Sequence, residues 1–90
     1  MTYRYKAAET YWRNFHKLPP HLKAATRAAW QIFKADPFDK RLDAHKINSL
    51  SARMGRTIYS VVIAPDLRAV FYIEGNTVFT VDIGTHYIYR

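Results

Sequence analysis

The 90-residue chain contains no cysteine, which excludes a disulfide framework and any thiolate metal site. A reducing compartment tolerates such a chain, and the cytoplasm is its expected location. Glycine is nearly as scarce, at three residues, and no Gly-rich phosphate loop or nucleophile elbow appears among them. Apolar residues never run on for the ~18 positions of a membrane span, and no charged-then-apolar leader opens the chain. The expectation is a soluble protein with no membrane partner. Acidic residues are also few: 7 Asp and Glu stand against 14 Lys and Arg, a formal charge of +7. The basic residues recur along the whole chain rather than in a tail. That distribution points to a polyanionic partner, nucleic acid first and an acidic protein second.

What is abundant is core material. Hydrophobic residues make up 49% and aromatics 16% of the sequence, enough for one hydrophobic core but not two at this length. Residues 1–90 are therefore expected to form a single domain.

The periodicity changes twice along the chain. Tyr3-Arg4-Tyr5 alternates as a short strand does. Between Ala7 and Leu18, the residues Tyr11, Trp12, Phe15 and Leu18 recur at helical spacing. "LPPH" interrupts: Pro19 drives Leu18 out of helical angles, and Pro20 suits the first turn of a second helix. That helix is predicted from Pro20 to Phe33, with Leu22, Ala25, Ala29, Ile32 and Phe33 on one face and Trp30 on its flank. "ADPFDKRLDAHK" then reads as a loop, and the basic stretch "HKINSLSARMGR" as a flexible continuation of it. From Thr57 the period becomes two. Strands are predicted at 57–63, 67–73 and 77–83, joined through Ala64-Pro65-Asp66 and through Glu74-Gly75-Asn76, where Gly75 and Asn76 tolerate positive φ. The fold class is α+β: a short N-terminal strand, an αα-hairpin, then a three-stranded antiparallel meander with the helices packed on one sheet face.

Strand parity divides the last strand into Phe79, Val81 and Ile83, expected beneath the helices, and Val78, Thr80 and Asp82 on the other face. Arg68 and Tyr72 share a face of the preceding strand. If the alternation continues through Gly84, His86 joins the open face; a bulge at Gly84 inverts that placement. Four histidines occur, His16, His21, His45 and His86, and none shows the paired spacing of a metal-binding helix. His16 and His21 flank the helical hairpin and are expected to be solvated. His45 and His86 are the acid–base candidates, because imidazole titrates near neutrality.

Three segments resemble, in order and spacing, the RelE/ParE superfamily of bacterial type II toxins, and the resemblance covers nearly the whole chain. "RLDAHKINSL" is similar to the family's L-x-x-H-x-L segment. "YSVVIAPDLRAVFYI" resembles its paired central strands with their internal Arg. "DIGTHYIY" resembles the closing strand, in which Gly is followed by His or Arg and then an aromatic. The resemblance implies one of two activities, both held inactive by a co-expressed antitoxin. RelE-like members cut mRNA in the ribosomal A site; ParE-like members inhibit DNA gyrase without hydrolytic chemistry.

Metal-free RNA cleavage needs a group to take the 2′-hydroxyl proton, cations against the phosphorane, and an acid for the leaving 5′-oxygen. On the resemblance, His86, His45 and Tyr89 carry the catalytic roles. Lys46 contacts phosphate with Arg53 and Arg56 of the basic stretch that follows it. Arg68 either joins them or is structural, because toxins of both activities share it, and Asp66 is an acid–base or positioning residue, as in the YafQ-like branch. No metal or other cofactor is implied. The implied partners are a cognate antitoxin with the ribosome and mRNA, or alternatively DNA gyrase. Where RelE-like enzymes carry Arg on the second strand, and YafQ-like ones His, this chain has Val62 and Ile63. An inactive homologue that only binds an antitoxin or DNA is the third reading.

Overall fold

A computed structural model describes residues 2–85 of the chain. Three helices pack on a five-stranded mixed sheet, the expected α+β class. The elements are β1 (Arg4–Ala7), α1 (Glu9–His16), α2 (Pro20–Phe33), a 3-10 turn (Lys40–Leu42), β2 (His45–Lys46), α3 (Asn48–Met54), β3 (Tyr59–Ala64), β4 (Leu67–Glu74) and β5 (Thr77–Gly84). Their order across the sheet is β1-β5-β4-β3-β2. The meander β3-β4-β5 is antiparallel as expected, whereas β1 lies parallel to β5 on its outer side, with Tyr5 opposite Val78.

Local chemistry accounts for the helical hairpin. The α1 helix starts at Glu9, two residues later than the apolar spacing predicts, because Ala7 is still paired in β1 and the Ala8 N–H donates to the Thr80 carbonyl at 2.9 Å. It carries Glu9 in its first turn and Arg13 and His16 in its last, the arrangement that complements a helix dipole. Pro19 is extended (φ −65°, ψ 159°) and places Pro20 at the start of α2, where the missing N–H leaves no bond unmade. The predicted span of α2 matches the observed one.

The main core lies between this hairpin and one face of the sheet. Phe15, Phe33, Leu42, Val61, Leu67, Ala69, Phe71, Val78 and Ile83 form it. Phe71 is fully buried, and Phe33 meets it edge-on at 5.0 Å between ring centroids. Burial of each such side chain contributes about 1.5–3 kcal/mol relative to leaving it in water.

Two expectations about this sheet are corrected. First, Phe79 and Val81 do not share the core face with Ile83. Thr80 stands opposite Phe71 and Asp82 opposite Val70, so Val81 is an extra residue in β5. This is a β-bulge, and it reverses the facing of every residue before it. Val78 is consequently buried in the core, and Phe79 turns to the opposite face, stacked on Tyr72. Gly84, the position expected to bend, makes an ordinary ladder pair with Arg68.

Second, "HKINSLSARMGR" is not a flexible loop. It forms β2 and then α3, which ends on Gly55 in the left-handed region at φ 68°, a conformation glycine adopts without steric cost. The Ile47 N–H donates to the Ile58 carbonyl at 2.8 Å, and the Ser51 hydroxyl accepts from the Ile58 N–H at 2.8 Å. Ile47, Ser51, Ile58, Ser60 and Val70 are buried outside the main core cluster. The second sheet face, expected to be free of helices, is thus partly occupied by α3.

Candidate functional site

The register places the side chains of the second face in three successive rows, roughly 7 Å apart along the strands. The first row, nearest the β3–β4 turn, holds Val62, Arg68 and Gly84. The second holds His45, Ser60 and Val70, while Asp82, opposite Val70 beside the bulge, turns its carboxylate to Asn14 of α1. The third holds Tyr72, Phe79 and Lys6. Lys46 stands opposite Tyr59, which packs against the main core, so Lys46 has the other facing from His45.

His45 sits exposed at the β2 edge of the sheet. Its Nδ1 lies 3.1 Å from the Asp43 carbonyl oxygen. A carbonyl only accepts, so this contact selects the tautomer with Nδ1 protonated and leaves Nε2 as the basic nitrogen. Asp43 has a left-handed backbone (φ 49°), unusual for a residue other than glycine. That conformation closes the 3-10 turn and leads the chain into β2.

The cations named from the sequence are dispersed rather than gathered. Arg68 is half-buried, and its Nη1 donates to the carbonyls of Ala64, Pro65 and Leu67 at 2.9, 3.2 and 3.2 Å. It therefore braces the β3–β4 turn that carries the exposed Asp66. Arg53 is exposed on the last turn of α3. Arg56 donates to Glu74 at 2.9 Å and places its guanidinium carbon 4.2 Å from the Tyr72 ring centroid. His86 and Tyr89 lie outside the described residues. His16 and His21 are exposed, as expected. Among the described residues, no group of three or more His, Cys, Asp or Glu is placed to hold a metal ion. No helix among them is long and apolar enough to cross a membrane.

The third row contains residues that sequence reasoning missed. Tyr72 and Phe79 stack at 5.0 Å between centroids with 19° between their planes. Lys6 Nζ lies over Phe79 at 6.0 Å. Recognising Lys6 as a neighbour of Phe79 requires the parallel pairing of β1 with β5, which leaves no trace in local periodicity. The facing of Phe79 depends on the bulge at Val81.

On the helical side, α1, α2 and the sheet enclose an apolar groove of about 410 Å³. Its walls include Tyr11, Trp12, Phe15, Trp30 and Phe33, with Lys6 and Arg27 also lining it. Trp12 and Trp30 remain 49% and 40% exposed at this groove. Burial raises the Tyr5 and Tyr11 phenols above the ordinary value, and the Tyr5 hydroxyl donates to the Phe33 carbonyl at 3.0 Å. Both phenols are neutral at physiological pH.

No family model and no curated protein sequence matches the chain. Solved structures do. The chain is similar to one from the archaeal RelE–RelB complex of Pyrococcus horikoshii OT3, with a TM-score of 0.72 and 16% identity over 94% of this chain and 96% of that one. It is similar to a chain of the RelBE2 toxin–antitoxin complex of Mycobacterium tuberculosis, at 0.69 and 20% identity over 96% and 100%. YafQ from Escherichia coli superposes at 0.65 with 10% identity over 97% of both chains. The fold is RelE/ParE-like.

Proposed function

We propose that this chain is the toxin of a type II toxin–antitoxin pair and that it cleaves mRNA on the ribosome without a metal. The observation that carries this reading is His45. It stands exposed on a basic RelE/ParE-like fold, with Asp43 selecting the tautomer whose Nε2 can accept a proton. In this reading His45 and His86 form the acid–base pair, one taking the proton of the attacking 2′-hydroxyl and the other protonating the departing 5′-oxygen. Arg53 and Arg56 stabilise phosphate charge and Tyr89 orients the substrate, whereas Lys46, with the other facing from His45, does not take that role. Asp66, on the turn held by Arg68, is a positioning residue.

The cognate antitoxin is proposed to present an acidic, amphipathic segment. The apolar groove beside the exposed Trp12 and Trp30, with Arg27 on its wall, suits such a segment in both shape and charge. The excess of positive charge favours the acidic partner in the same way.

One observation favours a gyrase-inhibiting reading instead. In the first row Val62 stands opposite Arg68, and Arg68 Nη1 is engaged by carbonyls of its own turn. That row therefore lacks the strand cation that RNA cleavage would use. Induced expression with separate readouts of translation and DNA supercoiling distinguishes the two. A rapid fall in protein synthesis supports the nuclease; changed supercoiling with translation intact supports the gyrase inhibitor.

A further inference from the structure

The third row of the second sheet face forms a continuous stack. Tyr72 and Phe79 are cross-strand partners on β4 and β5, and Lys6 is the partner of Phe79 on β1. Because β4 and β1 flank β5 on opposite sides, Tyr72 and Lys6 approach Phe79 from opposite sides. Arg56 closes the other end at 4.2 Å from the Tyr72 centroid. The order is therefore cation, ring, ring, cation.

The two ends are held differently. The Arg56 guanidinium is fixed by its ring contact and by Glu74 at 2.9 Å. Lys6 Nζ stands 6.0 Å from the Phe79 centroid, the outer limit of a cation–π contact. Lys6 is exposed, carries a flexible stem, and forms no ion pair with a described residue at the distances that define one. Beside Phe79 a cavity of about 310 Å³ opens, lined by Lys6, Ala7, Met54, Tyr72, Thr80 and Val81. Its lining is almost wholly apolar, and Lys6 is the charged group at it.

We infer that this row is a stacking subsite for one unpaired nucleobase of a single-stranded RNA, with Lys6 and Arg56 neutralising the phosphates on either side. The base lies against the Phe79 face, in the cavity floored by β1 and β5 and walled by Met54. Lys6 swings from the ring to the backbone phosphate as the base enters. Arg56 stays on Tyr72 and offers its outer edge to the next phosphate. A strand whose bases are already stacked in a duplex cannot present one to the cavity, so the site selects single strands. The choice of RNA rests on the nuclease reading above. The row is distinct from His45 and is a binding subsite rather than a cleavage centre.

The test is fluorescence anisotropy of the full chain with a labelled hexaadenylate that is 2′-O-methylated throughout, so that binding is read without cleavage. Loss of the ring in Phe79→Leu is expected to weaken binding about tenfold, and Phe79→Tyr to retain it. Lys6→Gln, at an exposed position, is expected to lower the slope of log K against log salt by about 0.7. His21→Gln, on the helical side of the molecule, serves as the control and leaves binding unchanged. If Phe79→Leu and Lys6→Gln both bind as the unaltered chain does, or if that chain does not bind the oligomer, the subsite is refuted. Translation arrest by the same variants separates the two ideas. Arrest with no role for the row in binding leaves the nuclease reading standing, and row-dependent binding without arrest leaves only the subsite.

Discussion

Gly84 stands directly across the ladder from Arg68, and Arg68 in turn holds three carbonyls of the β3–β4 turn. The end of β5 from which the chain proceeds towards His86 is therefore built against an arginine-braced turn. The irregularity in β5 lies earlier, at Val81. If bracing is the role of Arg68, Arg68→Gln lowers stability by about 1–3 kcal/mol through the lost charge-assisted bonds. Urea denaturation should show a lower midpoint with the m-value unchanged. RNA affinity of the folded variant should be unaltered; a large loss of affinity would instead return Arg68 to phosphate binding.

The bulge has its own anchor. Asp82 Oδ1 accepts from Asn14 Nδ2 at 2.6 Å and from the Ile83 N–H at 2.8 Å, tying α1 to the strand just beyond Val81. Removing the donor in Asn14→Ala leaves a half-buried carboxylate with one partner fewer. The expected cost is about 1–2 kcal/mol. A thermal melt unchanged from the unaltered chain would show that Asn14 does not anchor the bulge.

Gly55 tests whether α3 is built as described. Its φ of 68° is left-handed, and no atom lies within 4 Å of where a Cβ would stand. Gly55→Ala therefore meets only the backbone penalty, about 1–2 kcal/mol. Gly55→Asn should recover part of that loss, because Asn tolerates the left-handed region. Equal stability of all three would mean that the α3 terminus is not in this conformation.

The 3-10 turn before β2 carries a pH signature. A two-pronged side-chain hydrogen bond from Arg41, with a further one from its backbone N–H, holds the Asp39 carboxyl down to about 2 from 3.8. A depressed carboxylate contributes stability above its unfolded value and loses it as the pH falls through the folded one. The contribution is thus present above about pH 4 and disappears towards pH 2. Because Arg41 is exposed and Asp39 only half-buried, salt should weaken the pair further. An NMR titration of the Asp39 carboxyl carbon should show this low midpoint, and Arg41→Ala should bring it back into the ordinary carboxylate range.

Much of the fold was legible because local chemistry encodes it. Pro19 and Pro20 mark the start of α2, and the change to a period of two marks β3, β4 and β5. The turn at Gly75 was legible for the same reason, and its φ of 62° bears this out; the other residue named there, Asn76, does not adopt a positive φ. What local pattern does not carry is pairing between distant segments. The parallel register of β1 on β5 is one case, and the antiparallel pairing of His45 with Ser60 is another. The basic stretch after His45 read as a loop because α3 is short, and its burial rests on Ile47 and Ser51 meeting Ile58. A single inserted residue at Val81 then inverted the facing of Phe79 without changing the alternation visible in the sequence.

Of the candidate site, the sequence named individual residues but not their neighbours. His45 was named from the sequence and stands exposed with a defined tautomer. Lys6 was not named, Tyr72 was placed only on the face of Arg68, and Phe79 was expected beneath the helices, because the adjacency of the three is a property of the assembled sheet.

Induced expression of the unaltered chain beside His45→Ala and His86→Ala, followed by pulse labelling of new protein and by plasmid supercoiling, tests the central claim most directly. The nuclease reading predicts that the unaltered chain stops translation within minutes and leaves supercoiling unchanged, and that both variants fold yet permit growth. Continued protein synthesis in the presence of the unaltered chain, or arrest undiminished in both variants, would contradict it.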